Sequence, residues 1–220
     1  MPRRSRKTYR NLFLDRAVTD NLVLVEGVGL CPLIGGATTL KAGVTLFLCA
    51  TVTLIATNLF MLAFCKRLTG ALRITVHTLF ASLLLCGEAY LINATVSTEL
   101  YAALYLFLPL LSVTTLFAYH GDNAVGAFDP MAGFLDAFAS ALGFGVVLCL
   151  TGAVREIAAR RTLWDLPLPL PVDLPEAAQP FAAFLLIGLL AALLQRVKAL
   201  TENRRRLNAD EAETGGAEHE

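Results

Sequence analysis

Charge is what this chain has least of. Only 16% of its 220 residues are charged, against about a quarter in a soluble domain. Hydrophobic residues make up 56%, a balance that points to lipid rather than water as the solvent. Cysteine pairing is missing too. The five cysteines, Cys31, Cys49, Cys65, Cys86 and Cys149, are odd in number and include no C-x-x-C pair. All lie within or at the edges of apolar segments, which argues against a disulfide framework. For Cys49, Cys65, Cys86 and Cys149 the simplest role is that of a small hydrophobe. There is no G-x-x-x-x-G-K phosphate loop, no serine elbow and no H-E-x-x-H, so no soluble catalytic site is expected. The basic start leads into an apolar segment interrupted by Glu26 and Pro32, so no cleavable signal peptide is expected. The run Arg204–Arg206 is too short to argue for nucleic acid. Attraction to the headgroups of a lipid bilayer explains it more simply.

What is present is a series of long apolar segments. A helix needs about 20 mostly apolar residues to cross the hydrocarbon core. Six candidates meet that length: Asn21–Leu40, Ala42–Cys65, Leu72–Val96, Leu100–Tyr119, Met131–Ile157 and Phe181–Leu200. They define a membrane domain over 21–200, preceded by a cytoplasmic segment 1–20 and followed by a polar tail 201–220 that is expected to fray. The first candidate is crowded with Gly27, Gly29, Pro32, Gly35 and Gly36. The fourth carries Pro109 followed by Ser112, Thr114 and Thr115. Both are expected to be broken or kinked. The stretch Leu166–Pro175, LPLPLPVDLP, is expected to lie extended on the outer surface as a stiff spacer.

Basic residues give the orientation. With a cytoplasmic N-terminus, inside segments hold fourteen of the 18 Lys and Arg. The outside holds four: Lys41, Arg155, Arg160 and Arg161. Both termini are therefore expected to be cytoplasmic. Broken segments recur at positions one and four, so the expected fold is all-α, with six transmembrane helices as two inverted three-helix repeats. In such folds irregular backbone is tolerated only where it is buried in protein or lines a cavity. The two breaks should then face each other near the midplane.

Ionisable residues inside spans default to functional candidates. Glu26 lies about one turn before Cys31, Glu88 within the third span, and Asp136 near the start of the fifth. Glu26 and Glu88 are the candidates for an ion or proton path. Snorkelling or hydrogen bonding between helices is the competing role for both, and the favoured one for Asp136. His77 and His120 have no spaced His or Cys partner and read as interface residues. Arg155 and Glu156 read as a structural pair at the water boundary. The segment Gly27-Val28-Gly29-Leu30-Cys31-Pro32-Leu33 sets a thiol inside a glycine-rich break. Taken alone, Cys31 is either a packing residue at a kink or a metal ligand.

The stretch NLVLVEGVGLCPLIGGATTL resembles the start of the Rnf/Nqr membrane-subunit family, whose members carry G-L-C-P here. The segments LRITVHTLFASLLLCGEAYLINA, LYLFLPLLSVTT, FLDAFASALGFGVVLCLTGAVREI and RTLWD follow in the family's order. The likeness runs from about Asn21 to Asp165 and is greatest to the E-type subunits of Rnf complexes, relatives of the D-type subunits of Nqr. It implies a subunit of an ion-translocating ferredoxin:NAD oxidoreductase in the bacterial inner membrane, coupling electron transfer to Na⁺ or H⁺ movement. It also implies a homologous A-type partner in inverted orientation, alongside other Rnf-type subunits. Between the two would sit a 2Fe–2S cluster, each subunit giving one cysteine from its first span and one from its fourth. The first-span ligand maps onto Cys31. The fourth-span ligand does not map: anchored on Pro109 the chain reads PLLSVTT, which puts Thr115 where the cysteine should be. A hydroxyl is a poor iron ligand beside a thiolate. The run YHGDNAVGAFD after the fourth span departs from the family as well. Three functions stay open: a subunit holding half of a cluster, a cluster-less structural or assembly subunit, and a small inverted-repeat transporter.

Overall fold

The computed structural model describes residues 24, 27, 29–64, 70–120, 130–167 and 174–217, except the side chains of 62, 70, 116–120, 130–133, 136 and 201–217. Apolar stretches free of internal proline become helices because lipid offers no hydrogen bonds to backbone groups. The long helices are α1 (Leu40–Phe64), α2 (Gly70–Thr95), α5 (Pro130–Arg160) and α6 (Pro180–Ala217). Each holds a stretch long and apolar enough to cross a membrane: Leu40–Met61, Ala71–Thr95, Ala137–Arg160 and Pro180–Leu200. Two shorter helices, α3 (Thr98–Leu104) and α4 (Leu108–His120), form a fifth apolar stretch bent by 52°. The described residues therefore contain four candidate spans, or five with the bent pair counted as one. In the first expected span, Asn21–Leu40, residues 21–23, 25, 26 and 28 lie outside the described residues, so the count of six and the inverted repeat are not settled by them.

The bend falls at Tyr105–Phe107, just ahead of Pro109. Proline has no N–H to give the carbonyl four residues back, which here is that of Tyr105. Helix α3 ends there, and the Phe107 N–H bonds the Leu104 carbonyl at 2.8 Å to close the turn. Its N-terminus is capped by the Ser97 hydroxyl, which accepts from the Leu100 N–H at 3.1 Å.

Helix α5 is the hub. In its apolar window 56% of residues are buried, against 17% for α2 and 11% for α6. Its main partner is α1, and small residues bring the two together, the usual device for helix association in lipid. A side chain at Gly43 would meet the Leu148 carbonyl oxygen at 2.8 Å, and one at Gly152 the Thr39 carbonyl oxygen at 2.5 Å. Gly145 leaves room for the Phe47 ring. Around this contact Leu33, Leu46, Leu108, Leu111, Phe144 and Leu148 form the buried core. Helices α2 and α6 turn Leu79, Leu83, Leu185 and Leu189 outward.

After α5 a two-residue turn joins β1 (Thr162–Leu163) to β2 (Leu166–Pro167). Trp164 and Asp165 take φ values of 57° and 62°, the left-handed pair that a tight hairpin requires. Asp165 forms an ion pair with Lys41. Leu166 and Pro167 are extended as expected, and residues 168–173 lie outside the described set. Pro175 opens a 3-10 turn, Pro175–Ala178, rather than continuing the extended stretch. Proline suits a first helical turn, where its missing N–H goes unused. Helix α6 runs on to Ala217, into the tail where the polar composition predicts fraying. That tail is rich in Arg, Glu and Ala and free of proline, so intrinsic propensity continues the helix already formed.

Candidate functional site

The first break is built around a π-helical turn, Pro32–Gly36, closed by the Ala37 N–H bonding the Pro32 carbonyl at 3.2 Å. Such wide turns are rare and concentrate at functional sites. Cys31 stands at the N-cap of this turn with its thiol exposed and in no disulfide. Ahead of it Gly27 and Gly29 have φ of +68° and +79°, a region that L side chains rarely occupy. Gly29 is doubly constrained. A Cβ there would lie 2.7 Å from the Phe144 ring and 3.0 Å from the Thr114 methyl.

The two breaks meet. Gly29 packs on Thr114 of α4, and Gly35 and Gly36 lie against Phe107 in the α3–α4 bend. The glycines that interrupt the first segment are thus the surface on which the second is seated. The hydroxyls of the second break turn back into their own helix. Ser112 donates to the Pro109 carbonyl at 2.7 Å, Thr114 to that of Leu110 at 3.2 Å, and Thr115 to that of Ser112 at 2.8 Å. Thr115 is buried, and its oxygen already has a partner.

A second polar group sits between α1 and α2. Thr53 donates to a Glu88 carboxylate oxygen at 3.1 Å, and Cys49 lies against the same carboxylate. The other Glu88 oxygen is buried with no hydrogen-bond partner among the described residues. Thr57, one turn beyond Thr53, bonds back to the Thr53 carbonyl at 2.6 Å.

Arg155 and Glu156 are both buried, and they do not pair with each other. Arg155 donates from Nη1 to the Ile34 and Ala37 carbonyls at 2.8 and 3.0 Å. It donates from Nε to Ala177 at 3.2 Å, and from Nη2 to Ala178 and Gln179 at 2.6 and 3.5 Å. Glu156 Oε2 accepts the Leu40 N–H at 2.7 Å. Its Oε1 accepts from the Thr162 hydroxyl at 3.2 Å and the Asp165 N–H at 3.4 Å. The expected ion pair at the water boundary is replaced by two side chains bound chiefly to backbone. Broken helices leave bare carbonyls and N–H groups that water would otherwise take.

Residues 9–191 match the family described as Rnf-Nqr subunit, membrane protein. The chain belongs to this family. Among its relatives is the E-type subunit of the ion-translocating oxidoreductase complex of Edwardsiella ictaluri, 32% identical over 71% of this chain and 66% of the relative. The protein of the same name from Yersinia pseudotuberculosis serotype IB is 30% identical over 90% of this chain and 93% of its own length. A third protein of that name, from Yersinia pestis, is 29% identical over 95% of this chain and 97% of the relative.

In this Rnf-Nqr chain the sequence-expected residues fall in separate places. Cys31 lies in the first break, Thr115 is buried in the second, and Glu88 sits between α1 and α2. Glu26, Cys65 and the side chains of Asp136 and His120 lie outside the described residues. His77 is buried inside the protein. Cys49 is buried and Cys149 half-buried. Cys86 is exposed beside the bend, in a groove with Tyr105, Leu108 and Pro109.

No group of three or more His, Cys, Asp or Glu able to hold a metal exists among the described residues. An iron–sulfur cluster bound by this Rnf-Nqr chain alone does not fit that donor set. One exposed thiol, Cys31, fits one of the two ligand positions expected of this chain in a shared site, and the Thr115 hydroxyl does not fit the other. The partnership of Cys49 and Thr53 with Glu88 goes beyond what the sequence reading anticipates. The i, i+4 spacing of Cys49 and Thr53 places them on one helix face, and that is the available signal.

Proposed function

We propose that this chain is a membrane subunit of an Rnf-type ion-translocating oxidoreductase complex and that Cys31 is its contribution to an iron–sulfur cluster shared with a homologous partner. The observation that carries this reading is the exposed thiol at the start of a π-helical turn, in a segment held open by two left-handed glycines. A packing cysteine has no need of exposure. A thiol offered to a group completed by another chain requires it. When bound, such a cluster would supply a one-electron relay. This chain's own part is to present the thiolate from the break and to keep Thr115 out of the ligand set.

The reading includes six spans in two inverted repeats, a place in the bacterial inner membrane, and an A-type partner seated over the Cys31 side. Glu88, with one carboxylate oxygen held by Thr53 and the other unpartnered, is proposed as a station for the coupled Na⁺ or H⁺. The buried, self-satisfied hydroxyl of Thr115 favours a second reading, a cluster-less assembly subunit.

Iron content and electron-transfer rate of the complex separate the two, measured with Cys31→Ser and Cys149→Ser. Serine keeps the volume and removes the soft ligand. The cluster reading expects iron and rate both to fall in Cys31→Ser and to hold in Cys149→Ser. Unchanged values in Cys31→Ser leave the assembly-subunit reading.

A further inference from the structure

The break that carries Cys31 is closed only in part by its own hydrogen bonds, from the Ala37 N–H to Pro32, the Thr38 N–H to Gly36 and the Ala42 N–H to the Thr39 hydroxyl. Between Ala37, which ends the π-helical turn, and Leu40, which opens α1, the chain must end one segment and start another. The closing carbonyls of the first and the opening N–H groups of the second lack partners within their own helices. Arg155 and Glu156 supply those partners from α5, across more than a hundred residues of sequence.

We propose that Arg155 and Glu156 are positioning residues that set where the Cys31 thiol stands. The guanidinium has five N–H donors and no acceptor, and Arg155 directs its bonds to five backbone carbonyls. Two belong to the Cys31 segment, and three belong to the 3-10 turn that leads into α6 and its C-cap. The two chain passages are therefore fixed to one planar group. Glu156 takes the other side of the gap, holding the first N–H of α1 and the hairpin beyond α5. The polarity suits both, with a cation at carbonyl ends and an anion at an N-terminus. One turn before them, Gly152 lets the Thr39 carbonyl lie directly on α5. Thus Gly152, Arg155 and Glu156 form a template against which residues 34–40 are set. Lysine carries the same charge but cannot reproduce the fork.

This inference rests on the reading of Cys31 as the functional thiol, and one experiment tests the two apart. The intact complex in native membranes is treated with a membrane-permeant maleimide, before and after iron chelation. Labelling of Cys31 is compared with that of Cys86, an exposed thiol on α2. The variants are Arg155→Lys and Glu156→Gln, chosen because each keeps most of the side-chain volume.

After chelation, with the exposed Cys31 covered in the complex by the proposed partner, each variant is expected to label Cys31 at least about tenfold faster than the unsubstituted complex, the effect of one charge-assisted hydrogen bond lost from that covered state. Cys86 is expected to stay within about twofold, because that opening is local. Cys31 labelling at the unsubstituted rate in both variants overturns the proposal. So does a parallel rise at Cys86, or failure of both variants to accumulate, since either outcome marks a general structural role. The rates before chelation address the cluster instead. If chelation does not change Cys31 labelling in the unsubstituted complex, the cluster reading fails while the comparison of variants still decides the positioning role.

Discussion

Thr53 and Glu88 are joined at 3.1 Å across the α1–α2 contact, the hydroxyl donating to one carboxylate oxygen and leaving the other bare. An acidic group inside a span is costly to keep and is seldom kept without use. Glu88→Gln retains the shape and removes the charge. Ion uptake per electron in inverted vesicles is expected to fall at least about tenfold, with the electron-transfer rate less affected. Thr53→Val is expected to act in the same direction and by less, since it removes only the hydroxyl. Unchanged uptake in Glu88→Gln takes this carboxylate off the ion path.

Thr115→Val tests the vacant ligand position from the other side. The hydroxyl bonds the Ser112 carbonyl, so its loss is expected to cost about 1 kcal/mol of stability. Iron content is expected to stay at the unsubstituted level. A fall in iron would make Thr115 a ligand after all.

Gly29→Ala places a methyl group 2.7 Å from the Phe144 ring at a φ of +79°. Left-handed strain of about 1–3 kcal/mol adds to the overlap. Accumulation of the subunit in membranes is expected to drop sharply. Adding Phe144→Leu should restore part of it by relieving the overlap while the backbone strain remains. No restoration would place the cost in the backbone and the Thr114 contact.

Two glycines on different helices make a matched pair. Gly152 meets the Thr39 carbonyl, whereas nothing lies within 4 Å of a Cβ at Gly188 on α6. Gly152→Ala is expected to lower the denaturation midpoint of the solubilised complex, by an overpacking cost of about 1–3 kcal/mol. Gly188→Ala is expected to leave it unchanged or raise it, because alanine is the better helix former by about 1 kcal/mol. Equal effects would remove the distinction between hub and periphery.

Topology is tested by reporter fusions at Glu220 and within 166–175. Six spans with cytoplasmic termini require the two positions to report opposite sides. Reports from the same side contradict that arrangement.

Much of the helical framework is legible because hydropathy is a property of consecutive residues. The spans expected at Ala42–Cys65, Leu72–Val96, Met131–Ile157 and Phe181–Leu200 coincide within a few residues with the apolar helices found. The bend before Pro109 is legible because a missing N–H acts locally. A contact between the two breaks is expected from their recurrence along the sequence, and the glycines at 29, 35 and 36 make it. Arg155 and Glu156 mislead because a charged dipeptide at a span's end resembles a boundary pair. Only the fold shows that bare backbone from 116 to 121 residues away needs those groups.

The pairing of α1 with α5 has a consequence for the order of assembly. Gly43 lies against Leu148, so α1 leaves the ribosome about a hundred residues before its main partner. Until α5 arrives, α1 must wait in the bilayer with its glycine face covered only by lipid or by other protein. Helix α2 and the bent pair enter meanwhile, so the interior closes late, when its centre is inserted between elements already in place. A nascent chain stopped before Pro130 would hold the first four apolar segments of the sequence and no hub, which makes the early intermediate a natural client for insertion chaperones.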